Sequence, residues 1–68
     1  MNPESIAQIY DRIAMEHDAA AREWMSEPAD DEHLDRMYKS RADDEHFEAE
    51  RYRRLARDAR SFAKRKSA

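Results

Sequence analysis

The feature that most constrains this chain is an absence. Its 68 residues contain no glycine, no valine and no threonine, and the only β-branched side chains are Ile6, Ile9 and Ile13. Strands draw on β-branched and aromatic residues, and tight hairpins draw on glycine, so a sheet is excluded and the fold class is all-α. The core is thin: hydrophobic residues are 40% of the chain against 43% charged, and twelve of the 27 hydrophobic positions are alanine. Fifteen larger apolar side chains remain. With no cysteine there is no disulfide to brace so small a domain, which points to a partner subunit as the missing support.

The pattern predicts one helical-hairpin domain over residues 1–68. Asn2 can cap a helix, Pro3 suits its first position, and Glu4 sets negative charge at the positive end of the helix dipole. At about 100° per residue, Ile6, Ile9, Tyr10, Ile13, His17, Ala20 and Trp24 form one stripe, so a helix is expected over about 3–25 with that face buried. Ser26-Glu27-Pro28 predicts the turn, over about 26–28. A long second helix follows over about 29–64, its apolar stripe running through Leu34, Met37, Tyr38, Tyr52, Leu55, Ala56, Ala59, Phe62 and Ala63. Arg41, Glu45 and Glu48 interrupt that stripe, and Ser40 with Asp43 has capping-box spacing, so a break near residues 40–43 is the chief rival. Residues 29–34 and 42–47 repeat the pattern Ala-Asp-Asp-Glu-His followed by Leu or Phe, but two copies do not make a solenoid.

A turn centred near residues 27 and 28 would let the first helix cover the second only to about residue 53. Tyr52, Leu55, Ala56, Ala59, Phe62 and Ala63 are then the expected dimer interface, since exposing them forfeits about 25 cal/mol per Å² of apolar surface. A second copy gives a homodimer of hairpins in a four-helix arrangement. Charge is compatible with an antiparallel version. Residues 1–50 carry fifteen acids and five bases, whereas residues 51–68 carry eight bases and one acid, so the net −3 conceals −10 against +7. Antiparallel long helices would set each basic end beside the acidic half of the other chain.

Chemistry finds little purchase. The histidines follow glutamates directly, at Glu16-His17, Glu32-His33 and Glu45-His46, and adjacent residues diverge by about 100° on a helix, unlike the Glu-x-x-His ligand pairs of metal-binding bundles. His17 is expected to hydrogen-bond inside the interface, and Glu45 to pair with Arg41. Without cysteine, with serines at caps or polar faces, and without a glycine-rich phosphate loop, the chain reads as neither an enzyme nor a cofactor or metal binder. No apolar run approaches the roughly 20 residues of a membrane span, and Met1-Asn2-Pro3-Glu4 does not open a signal peptide; a cytoplasmic setting away from membranes is expected.

Two kinds of partner remain. The eight bases of the last eighteen residues, interleaved with Tyr52 and Phe62, could contact phosphates, and the hairpin plan resembles Rop-type RNA-binding bundles. Net acidity argues against general nucleic-acid affinity. A protein partner is favoured, because Met15 and Phe47 lie off the predicted stripes and Phe47 has Arg51 and Arg54 along the same side, with Tyr38 at the stripe's edge. Those five residues are the expected partner-binding set. A very short, cysteine-free, Arg/Asp/Ala-rich chain opening Met1-Asn2-Pro3-Glu4-Ser5-Ile6-Ala7-Gln8-Ile9-Tyr10 also resembles the small host-takeover proteins of temperate phages. In size and plan it is similar to phage anti-activators of quorum sensing. That resemblance implies an inhibitor that occupies a host regulator, such as the DNA-binding domain of a transcriptional activator. Asp30, Asp31, Glu32, Asp35, Asp43 and Asp44 offer charge that a basic regulator would attract.

Overall fold

A computed structural model describes residues 2–67, with side chains described through residue 65. Two helices, α1 (Pro3–Ser26) and α2 (Glu32–Ser67), pack side by side as an antiparallel hairpin 56 Å long and 13 by 12 Å across. Asn2 caps α1, its side chain accepting the Ser5 N–H at 2.8 Å, and Pro3 occupies the first turn, where its missing N–H costs no hydrogen bond. Ser26 closes the helix by donating its hydroxyl to the Glu23 carbonyl at 3.0 Å.

The turn is longer than Ser26-Glu27-Pro28 suggested, occupying residues 27–31. Asp31 is the reason. Its carboxylate accepts the Leu34 N–H at 2.8 Å, so it serves as the N-cap of α2 and leaves Pro28, Ala29 and Asp30 outside the helix. From Glu32 onward α2 is continuous through residues 40–43. Ser40 and Asp43 therefore do not form a cap, and an alanine at 42 packed against α1 holds the helix together where the apolar stripe thins.

The buried face is not centred on the isoleucines. Every buried residue among those described is an alanine: Ala7, Ala14 and Ala21 on α1, and Ala42, Ala49 and Ala56 on α2, each at most 2% exposed. Both sets recur every seven residues, the spacing of a coiled-coil seam with about 3.5 residues per turn. Three cross-helix ring or ion contacts, Tyr10 with Tyr52, His17 with Glu45 and Trp24 with Tyr38, fix the register. That register sets Ala7 level with Ala56, Ala14 with Ala49 and Ala21 with Ala42. Small side chains at all three levels let the helix axes approach toward the short end of the usual 8–10 Å, approximately. At that separation larger residues cannot occupy the alanine levels themselves, and they lie between those levels or on the flanks. Ile9, Met37 and Phe62, assigned to the buried stripes by periodicity, are 43%, 40% and 52% exposed.

The longer turn also shifts the overlap. Glu4, near the start of α1, bonds Arg60, so α1 covers α2 to about residue 60 and not merely to 53. Ala56 is consumed by the hairpin's own seam, Tyr52 packs between Tyr10 and His17, and Leu55 and Ala59 are half-buried beside them. Of the six residues expected to cover a second chain, Phe62 and Ala63 lie past the end of α1. No helix is long and apolar enough to cross a membrane among the described residues.

The seam makes a direct prediction. Ala14→Leu should destabilise the hairpin by about 1–3 kcal/mol through overpacking, whereas Gln8→Leu at an exposed position of α1 should stay within about 0.5 kcal/mol of wild type. Urea unfolding followed by circular dichroism compares them. Equal effects would show that the alanine seam does not set the helix separation.

Candidate functional site

The long seam residues alternate with the alanines and form a ladder. The His17 ring stacks on Tyr52 at 5.7 Å and 11°, Tyr52 meets Tyr10 at 6.0 Å, and His17 Nδ1 lies 2.8 Å from Glu45 Oε2. Glu45 is thus held by His17 across the hairpin rather than by Arg41 on its own helix. Both side chains are about 30% exposed, which leaves the pair in contact with water. A polar layer at one level of an apolar seam specifies register more than it stabilises.

The two flanks of the hairpin differ in kind. On α1 the seven-residue period puts Glu4, Asp11 and Asp18 in one row beside the seam, and α2 answers with His46, Arg53 and Arg60. Arg60 donates to both Glu4 oxygens at 3.2 Å and to Asp11 at 2.8 Å, and Arg53 donates to Asp18, which also lies 3.3 Å from His46. The hydrogen bonds to Glu4, and then to Asp11, hold the Arg60 guanidinium protonated even above its usual range. Water reaches these pairs and screens each of them, but together they zip one flank shut.

The other flank lies roughly 160° around each helix from the charged one. There the same period places Ile6, Ile13 and Ala20 of α1 alongside Leu34, Leu55 and Phe62 of α2, with Ile9 at its outer margin. Arg41 and Glu48 sit midway along this flank. Towards the turn it opens into a cleft of about 300 Å³ lined by Ala20, Glu23, Trp24, Glu27 and Tyr38. The Trp24 and Tyr38 rings meet at 5.7 Å and 34° and form its floor. Neither Glu23 nor Glu27 has an ion-pair partner among the described residues, in contrast to Glu4, Asp11 and Asp18.

The residues singled out from sequence are only partly brought together. Phe47 is 67% exposed on the outer face of α2, with Arg51 and Arg54 exposed one and two turns along. Arg51 is engaged by Glu48 at 3.5 Å, whereas Arg54 has no ion pair among the described residues. Tyr38 lies nine residues before Phe47, about 180° around the helix, and belongs to the cleft instead. Met15, 69% exposed, stands on α1 beside the charged flank and apart from Phe47. Of the acids offered as a lure for a basic regulator, Glu32 and Asp35 pair with Arg36 and Lys39, Asp31 caps α2, and Asp30, Asp43 and Asp44 carry no ion pair among the described residues. The cleft went unseen in the sequence, although the seven-residue spacing of the alanines was a readable signal for the flanks that frame it. Among the described residues no three His, Asp or Glu side chains group closely enough to hold a metal ion.

Comparison with known proteins adds no relative: no family model, curated protein or solved structure matches the chain.

The polar layer yields a test of its role. Glu45→Ala, which strips His17 of its partner, should lower stability by about 1 kcal/mol. The double substitution His17→Leu/Glu45→Leu should melt no lower than wild type, because apolar replacement of a polar pair withdrawn from water is often neutral or stabilising, and this pair is part-buried. A double variant less stable than Glu45→Ala would show that the pair supplies net stability instead of register.

Proposed function

We propose that this chain is a non-enzymatic, homodimeric protein-binding module that acts stoichiometrically by occupying a surface of a host regulator, such as the DNA-binding domain of a transcriptional activator. One observation carries the reading: among the described residues the hairpin buries no large side chain, so its apolar residues are displayed and not spent on a core. Its accessible surface is 5458 Å². A compact protein of this mass exposes about 4,500 Å², an excess of about 1,000 Å². A standard protein interface covers about 800 Å² per partner, which the excess matches. The apolar flank is the self-association surface, completing a four-helix arrangement, and the outward Phe47–Arg51–Arg54 stripe is the surface offered to the regulator, an exposed aromatic flanked by arginines.

The resemblance to phage host-takeover proteins supports the same reading, since an inhibitor of that kind requires a recognition surface and no reaction chemistry. It also suggests the assay. Purified activator DNA-binding domains mixed with the protein should lose their gel-shifted DNA complex, and Phe47→Ala should weaken that loss by about tenfold or more, an anchor residue's usual share. Undiminished DNA binding across a panel of activators, or full potency of Phe47→Ala, would reject the regulator reading. Retention of paired RNA loops that falls steeply with salt and with Arg54→Ala or Arg57→Ala would replace it with an RNA-binding role.

A further inference from the structure

We propose that the Trp24–Tyr38 cleft is a receptor for the basic end of a second copy of this chain, so that two hairpins lock head to tail, each filling the cleft of the other. The proposal rests on the dimer reading above and deepens it by naming what docks where.

Three features converge on this occupant. The first is the cleft's chemistry. Two aromatic rings with two carboxylates at the rim, Glu23 and Glu27, suit a guanidinium or ammonium group, which gains from the ring faces and from the charge together. Both carboxylates are without an ion pair among the described residues. The second is the supply of matching cations. The neighbouring bases Arg53 and Arg60 are committed to the charged flank, but Arg57, Lys64 and Arg65 carry no ion pair among the described residues. They cannot serve their own cleft, because Tyr38 and Lys64 are 26 positions apart on one straight helix, about 39 Å. The third is symmetry. A twofold axis across the Ala14–Ala49 level carries the Trp24–Tyr38 level of one hairpin onto the Glu4–Arg60 level of the other, about one helical turn from Arg65, which lies roughly 60° around α2 from Phe62 on the side of the apolar flank, with Lys64 beside it at the helix end. The apolar flanks then face one another, interrupted midway by Arg41 and Glu48, and residues 23–35, with six acids and no Lys or Arg, meet the net +7 of residues 51–68 at both ends.

A charge swap tests the docking. Glu23→Lys/Glu27→Lys and Lys64→Glu/Arg65→Glu alter exposed side chains away from the alanine seam, so helix content should stay at the wild-type level by circular dichroism. In light scattering the wild type should return twice 8.1 kDa at micromolar concentration. Each double variant should dimerise at least about tenfold more weakly, since each brings like charges together at both clefts. An equimolar mixture of the two should recover the dimer, because opposite charges then meet at both clefts. Emission from the single tryptophan, Trp24, reports the cleft directly and should shift when the wild type or the mixture is diluted through dissociation. A wild-type dimer whose two variants associate as tightly, or whose mixture fails to recover, overturns the cleft assignment and leaves the dimer reading standing. A wild type that stays at 8.1 kDa overturns both.

Discussion

Close approach of two helices along six alanines is the constraint from which the rest of this structure follows. Alanine costs no side-chain entropy on folding and favours helix more than any other residue, so a seam of alanines is cheap to form. It also buries little. Methyl groups at Ala7, Ala14 and Ala21 against Ala42, Ala49 and Ala56 remove far less apolar surface than leucines would, and the narrow gap between the backbones leaves no room for larger groups. Ile6, Ile13, Leu34 and Leu55 are consequently pushed sideways, where each is only half-buried. The hairpin is held together by contact between backbones more than by a packed interior.

That geometry separates stabilising from specifying contacts. The alanine levels are interchangeable, and it is the polar and aromatic residues between them that distinguish one level from the next. His17 with Glu45, Tyr10 with Tyr52 and Trp24 with Tyr38 each satisfy a partner at only one alignment of the helices. The row of Glu4, Asp11 and Asp18 against Arg60, Arg53 and His46 repeats the message on one flank. Exposed ion pairs add little stability individually, but a set that can be satisfied at only one alignment penalises every other.

Much of the architecture was readable from the chain. The glycine-free composition, the Asn2–Pro3 start and the proline-bearing turn lead to two antiparallel helices, and those local signals depend on few residues. The seam was not found, because periodicity ranks residues by hydrophobicity and so centred the buried face on Ile6, Ile9 and Ile13. Closeness of backbones rewards smallness instead, and the signal for it was the exact seven-residue recurrence of alanine on both helices. Misplacing the turn by three residues then misjudged how far α1 extends and made Ala56 look uncovered. Exposure of Phe47 and Met15 was legible, since each lies well away from either choice of buried face. The cleft was not, because it joins Ala20, Glu23, Trp24 and Glu27 to Tyr38 across the turn, and no local pattern reports the angle at which two helices meet.

The even spacing of the alanines carries a consequence for how the chain reaches this state. Sliding α2 by seven residues along α1 would set Ala7 against Ala49 and Ala14 against Ala42, a seam that keeps two of the three native alanine levels. The chain therefore has a ladder of near-equivalent collapsed forms, and the landscape along that sliding coordinate is corrugated, not funnelled, until the polar contacts engage. Residues 27–31 do not forbid the slide, since it draws the start of α2 back alongside the end of α1, a gap that five non-helical residues span with ease. Selection of one rung therefore rests on the polar and aromatic pairs, and a chain stripped of them would keep its helices while losing their single alignment.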